Sequence, residues 1–249
     1  MTLLETKHLT KTFANGATVL ADVNLAVAEG EMLVLAGANG SGKTVLARHL
    51  NGLLRPSSGE IFFEGAPIAG RLPEIRRQVG LVFQNSDNQI VAETVAADVA
   101  FGPENLGLAP EEVRRRVADA LNRVGLAALA EQRPQLLSGG QKRKLAIAGI
   151  LAMQPRLIVL DEPFTGLDYP GAVQILRQLL QLRRQGHTLL VITHELEKIL
   201  AHADRLALMA AGRIVADGAP EELLNSLEKY GIKRPYGKER PVATMTWLS

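Results

Sequence analysis

Apolar and polar positions alternate, or run apolar, through Leu3 to Phe13, Val19 to Val27 and Glu31 to Ala36, and these stretches predict strands. Gly16 and Gly30 punctuate them as turn residues. A glycine-rich loop, Gly37 to Gly42, follows, and then a helix is predicted from about Lys43 to Leu53. The cluster Pro56-Ser57-Ser58-Gly59 breaks the chain before a short strand, Ile61 to Phe63, and Val79 to Phe83 reads as another strand. From about Thr94 to Met153 the spacing becomes helical. It is clearest in Glu111 to Val124, where Val113, Val117, Leu121 and Val124 share a face and Pro110 sits at the start. Arg114, Arg115 and Arg116 lie on the other side and read as a solvated face. After Met153 strand and helix alternate again. Leu157 to Leu160 is apolar throughout, as a central parallel strand should be. A helix over Pro170 to Arg184, a strand over Thr188 to Thr193 and a short helix near Glu195 to Ala201 follow. Arg205 to Met209 and Arg213 to Ala216 close as a strand pair around Ala211-Gly212. Ser226 to Ser249 is polar and yields no element, and the chain shows no internal repeat or low-complexity tract.

This order of elements is that of an α/β protein. With 249 residues, 47% of them apolar, the chain can build one large domain or two small ones. A net charge of +2 gives no reason to expect nucleic acid as a partner. Cysteine is absent, which excludes disulfides and thiolate metal sites and fits a reducing, cytosolic setting. Met1 to Lys7 carries no apolar signal core, and runs such as Leu157 to Leu160 are far too short to span a bilayer. Any service to a membrane is expected from outside the lipid.

Gly37-Ala38-Asn39-Gly40-Ser41-Gly42-Lys43-Thr44 fits the phosphate-loop pattern G-x-x-x-x-G-K-[ST], with an apolar strand before it and a helix after it. Glycines let the backbone turn its N–H groups toward phosphates, and the helix N-terminus adds positive potential. Asn39, Gly40, Ser41, Gly42, Lys43 and Thr44 are therefore candidate nucleotide contacts, with Lys43 at the β- and γ-phosphates and Thr44 on Mg²⁺. Leu157-Ile158-Val159-Leu160-Asp161-Glu162 is a strand ending in two acids. Asp161 is expected to hold Mg²⁺, directly or through water. Glu162 is expected to orient and deprotonate the attacking water.

Between these two motifs stands Leu137-Ser138-Gly139-Gly140-Gln141. With it the chain resembles the ABC ATPases over nearly its whole length. The resemblance implies a P-loop nucleotide-binding domain over residues 1–225, with a RecA-like core, an antiparallel β subdomain and a helical signature subdomain at about 94–153. The tail, 226–249, is a candidate for dimer contact. In that family the signature motif caps a helix aimed at the γ-phosphate held by the opposite subunit. Ser138, Gly139, Gly140 and Gln141, with Asp168 in Thr165-Gly166-Leu167-Asp168, are thus expected at a nucleotide in trans, in a homodimer or heterodimer of cassettes. Gln84 resembles the loop glutamine that senses Mg²⁺ and the membrane partner, and His194 the histidine that contacts the γ-phosphate. The catalytic set is then Glu162, His194 and Gln84, the metal set Thr44, Gln84 and Asp161, and Phe13 stands where the family stacks a ring on adenine.

A narrower resemblance is to energy-coupling factor transporter ATPases, importers of cobalt, nickel and vitamins. Phe83 to Val91, Ala100 to Asn105 and Ala146 to Met153 carry it. Ser86 and Lys144 depart from that family, where proline and arginine are usual. The resemblance implies an ATPase on the cytoplasmic face of a membrane, bound peripherally to an integral membrane scaffold and a substrate-binding membrane subunit. It also implies a groove after Gln84 in which Asp87, Glu93 and Asp98 would meet arginines of the scaffold. The alternatives are a conventional ABC importer or exporter ATPase, a soluble ABC protein acting on ribosomes or DNA, and an ATP-binding switch without turnover. A single cassette without a heptad run argues against the soluble reading, and the presence of Glu162 and His194 argues against the switch.

Overall fold

The early alternating stretches form β1 (Thr2–Thr12) and β2 (Thr18–Ala28), followed by β3 (Met32–Gly37) and α1 (Lys43–Leu50) in a computed structural model describing residues 1–236 and 241–248. Next come β4 (Ser58–Phe63), β5 (Ala66–Pro67), α2 (Leu72–Gln78) and β6 (Val79–Val82). The helical region holds α3 (Val95–Asn105), α4 (Pro110–Val124) and α5 (Gly139–Ala152). The chain returns through β7 (Leu157–Asp161), α6 (Tyr169–Arg184), β8 (Thr188–Ile192), β9 (Arg205–Ala210) and β10 (Arg213–Gly218).

Two sheets result. The first is antiparallel, in the order β2-β1-β4-β5. The second runs β10-β9-β3-β8-β7-β6, parallel from β9 to β6, with β10 antiparallel at one edge. Strand periodicity explains why its central strands are apolar on both faces. Met32, Val34 and Ala36 of β3 pack with α5 and α6, while Leu33 and Leu35 pack with the antiparallel sheet and α1. The second sheet is therefore the middle layer between two hydrophobic clusters.

The helices follow their sequence signals closely. In α4, Val113, Leu121 and Val124 are buried and Val117 partly so, and Gly125 closes the helix at φ 70°. Arg114 and Arg115 pair with Glu111 and Glu112 on the exposed face as expected. Arg116 departs from that face: it is half-buried, donates to Glu112 at 2.6 Å and reaches Ala152 O at 3.4 Å. One element has no sequence signal and one prediction fails. Helix α2 buries only Ile75 of its seven residues, too little for a periodic pattern. Between Glu195 and Ala201 the chain forms two single 3₁₀ turns, Leu196–Lys198 and Leu200–His202, held by i→i+3 bonds. Leu196, Ile199 and Leu200 are fully buried there, and tight turns achieve this in less length than a helix.

The polar tail is largely anchored, although residues 237–240 and Ser249 of its predicted span lie outside the described residues. Val242 and Met245 are buried, and Trp247 stacks on Tyr169 with ring centroids 5.2 Å apart.

Of the three acids expected to face a scaffold, Asp98 is used internally. It is buried on α3, and its Oδ1 accepts from the N–H groups of Val91 at 2.7 Å and Ala92 at 3.2 Å. Asp87 pairs with Lys142 at 2.7 Å, and Glu93 is exposed. Replacing Asp98 with Ala leaves two amides without their acceptor, and urea unfolding should show a loss of about 1–3 kcal/mol. Asp98→Asn keeps an acceptor oxygen and should lose less. An Asp98→Ala variant as stable as the parent would contradict this anchoring role.

Candidate active site

Four neighbouring parallel strands deliver their carboxyl ends to one edge of the second sheet. β3 leads into the glycine loop, β8 into His194, β7 ends in Asp161 and Glu162, and β6 leads to Gln84. This is the end of an open parallel sheet where ligands bind.

At the end of β3 the loop is shaped by its glycines. A Cβ at Gly37 would lie 2.4 Å from Met209 O, so only glycine fits. Gly40 and Gly42 adopt φ of 80° and 106°, in the left-handed region. Gly42 is the N-cap of α1 and brings no capping side chain, and no acid stands in the first turn. The helix N-terminus therefore keeps its N–H groups and positive potential for an outside anion. Lys43 is buried, with Nζ donating to Gly37 O at 2.7 Å and Ala38 O at 3.0 Å. Burial pulls its pKa down, against the opposing charges of Glu162 and Asp161.

Asp161 and Glu162 are both buried at the end of β7. Burial raises the Asp161 pKa, a hydrogen bond from Thr44 opposes that, and the neighbouring Glu162 charge adds to it. Glu162 takes a left-handed backbone, φ 49°, held by its N–H bonding Ile192 O at 2.8 Å. A non-glycine residue in that region is strained by roughly 1–3 kcal/mol. The turn brings Glu162 Oε1 to 2.9 Å from Nδ1 of His194. Asp161 Oδ1, Glu162 Oε2 and Ser41 Oγ are buried without hydrogen-bond partners among the described residues. Such atoms are costly unless a ligand or water meets them.

Asn39, Gly40, Gly42, Lys43 and Thr44 line a cleft of about 460 Å³ together with Gln84, Glu162 and His194. Val19, which the sequence did not single out, also lines it. Phe13 is not in that wall. It sits on the exposed turn before β2, with Lys11 Nζ 5.4 Å from its ring centroid.

Ser138, Gly139, Gly140, Gln141 and Asp168 are elsewhere, around a separate cavity of about 530 Å³. Ser138 is the N-cap of α5, in a capping box with Gln141. Asp168 caps α6 by accepting from Gly171 N at 3.0 Å. A Cβ on Gly139 would meet nothing within 4 Å, and one on Gly140 would only touch Leu167 at 4.0 Å. No described residue packs against either position closely enough to require glycine there.

Arg143 escaped the sequence reading. It is buried on α5 and donates to Phe83 O and Gln84 O, each at 2.6 Å. In sequence it stands between Lys142 and Lys144 as one base among three, and no periodic signal marks it.

Comparison with known proteins agrees with this layout. Residues 20–165 match the family profile described as ABC transporter. The energy-coupling factor transporter ATP-binding protein EcfA of Methanocaldococcus jannaschii is 48% identical over 231 residues, covering 92% of this chain and 83% of the relative. The corresponding EcfA1 of Clostridium perfringens is 47% identical over 210 residues, 83% of this chain and 74% of its own. Among solved structures, cbiO1 of Clostridium perfringens, part of the ABC transporter complex cbiONQ, has a TM-score of 0.82 at 34% identity, covering 94% of this chain and 96% of its own. A dimeric ATP-binding cassette in a post-hydrolysis state with ADP and Pi has a TM-score of 0.79 at 29% identity, covering 88% of this chain and 99% of its own. The matched residues, 20–165, contain the phosphate loop, Gln84, the Ser138 helix and the β7 acids, and the chain belongs to the ABC transporter family as an ATPase cassette.

Proposed function

We propose that this chain powers an energy-coupling factor type importer, hydrolysing ATP as one of a pair of cassettes on the cytoplasmic face of a membrane. The open space over Gly139 and Gly140 carries the paired reading. Two consecutive glycines, with no described residue within 4 Å of a Cβ on the first and only Leu167 at 4.0 Å from one on the second, leave room for a ligand held by another chain. The signature cavity and the phosphate cleft are separate in one chain, so each would be completed by the other subunit's half. Support for the energy-coupling factor transporter class comes from the relatives named above, and the direction, uptake, and the cargo, a metal ion or vitamin chosen by a membrane-embedded subunit, follow from the resemblance in Phe83 to Val91, Ala100 to Asn105 and Ala146 to Met153. Among the described residues no helix is long and apolar enough to cross a membrane, so attachment to an integral scaffold would be peripheral.

In this reading the loop N–H groups and Lys43 hold the phosphates, and the exposed Phe13 ring is offered to adenine. Thr44 and Asp161 fit Mg²⁺: both present hard oxygens, and the unpaired Asp161 Oδ1 gains a partner. Bound there with Gln84 nearby, the ion would neutralise charge on the β- and γ-phosphate oxygens. Glu162 accepts a proton from the attacking water through its unpaired Oε2. His194, bonded to Oε1, fixes the carboxylate and can turn its other ring nitrogen to the γ-phosphate.

Glu162→Gln keeps the shape and removes the basicity. ATP turnover should fall by about 10²–10⁴-fold while ATP affinity by calorimetry stays close to the parent's. A variant turning over at the parental rate would remove Glu162 from the base role.

The trans arrangement is tested by mixing. A Lys43→Ala chain and a Ser138→Ala chain should each be nearly inactive, and together they should form heterodimers with one intact and one doubly damaged site. Activity above both parents is expected. Activity no higher than either, with subunit exchange confirmed by native mass, would contradict a pair in which one intact trans site turns over.

A further inference from the structure

The carbonyls of Phe83 and Gln84 leave the sheet just beyond β6, its edge strand, and so have no ladder partner. Both are taken up by the Arg143 guanidinium at 2.6 Å. This arginine is 4% exposed, makes no ion pair among the described residues, and leaves its Nε without a partner. Burial disfavours its charge, the Asp161 carboxylate favours it without forming an ion pair, and the two carbonyls are its direct partners. The planar guanidinium fork meets both neighbouring carbonyls with its two terminal nitrogens in one fixed geometry.

What Arg143 joins is specific. Its helix, α5, begins at Ser138, five residues or about 7.5 Å away along a rigid rod. Its other end of contact is the backbone of Gln84, whose side chain lines the chain's own phosphate cleft. Two further ties run between the same elements. Lys142 pairs with Asp87 at 2.7 Å, and Gln89 accepts from Phe83 N at 3.1 Å while reaching Ala146 O at 3.5 Å.

We propose that Arg143 is a positioning residue that couples the two ATP sites of a cassette pair, by fastening the Gln84 loop of its own site to the helix that serves its partner's. The proposal rests on the trans reading of Ser138. A shift of α5 as it engages the partner's nucleotide is passed to Gln84 in the chain's own cleft, and the reverse holds by reciprocity. Arg143 touches no nucleotide in this account and acts through Gln84 alone.

The test is ATP hydrolysis by the full chain as a function of ATP concentration, for the parent, Arg143→Met and Arg143→Lys, with thermal unfolding of each. The parent should respond sigmoidally. In Arg143→Met the Hill coefficient should fall to about 1. Its kcat should fall about ten- to hundredfold, as expected of a misplaced but intact site. ATP affinity, read with a fluorescent ATP analogue, should stay within about twofold of the parent. Arg143→Lys, with charge but no fork, should recover part of the cooperativity. Parental Hill coefficient and kcat in Arg143→Met would overturn the proposal. So would loss of nucleotide affinity and unfolding temperature in both variants in step with activity, which marks a purely structural tie. A hyperbolic curve for the parent, by contrast, would overturn the paired-site reading itself and the coupling with it.

Discussion

The site depends on the parallel hydrogen-bonded register of β3, β8, β7 and β6. Val34 opposes Val191, Leu160 opposes Val191 on the other side, and Val82 opposes Leu160. Because these partners are level, the segments that leave the strands emerge at one edge, with Asp161, Glu162 and Gln84 one or two residues on, His194 three residues past Val191 and Lys43 at the end of the loop that follows β3. That is how Lys43, His194, Asp161, Glu162 and Gln84 reach one edge although they are scattered over some 150 residues. A slip of one residue in any strand would turn its functional side chain into a hydrophobic layer. The apolar filling of both faces, with Leu33 and Leu35 on one side and Val34 and Ala36 on the other, is what fixes that register.

At this edge the fold buries polar groups that go unmet. Asp161 Oδ1, Glu162 Oε2 and Ser41 Oγ lack partners among the described residues, and Glu162 sits in a strained backbone turn. Together these work against stability and are held in place by the sheet behind them. Under the proposed function they are surfaces prepared for a triphosphate, a cation and a water. The signature helix shows the complementary feature, with a capping box that takes up the Ser138 and Gln141 amides and open space above its first glycines. One face supplies unmet charge and the other supplies N–H groups and room.

Most of this was legible in the sequence because the chemistry there is local. Phosphate loop, strand-end acids and signature motif are contiguous runs whose residue types follow from backbone geometry. The central runs of the second sheet were likewise visible, since burial on both faces leaves an apolar stretch, while the half-exposed edge strand β10 was marked by the Ala211-Gly212 turn before it. What was missed depends on tertiary placement. Arg143 looks like its solvated neighbours until α5 is packed against β6, and Asp98 looks like a surface acid until Val91 and Ala92 turn back onto it. Arg116 escaped for the same reason, being half-buried beside Ala152. The polar tail gave no periodic signal because it packs through isolated anchors, Val242, Met245 and Trp247, and not through a regular element.

The central claim is that each catalytic cleft is finished by another chain's signature helix. The chain has no cysteine, so single cysteines report without background. In a Glu162→Gln background, one chain would carry Asn39→Cys at the cleft and another Gly139→Cys at the signature helix. A short bis-maleimide linker should join them into a dimer-sized product that appears with Mg-ATP and not with ADP. Failure to cross-link between chains, or a yield indifferent to nucleotide, would contradict the account.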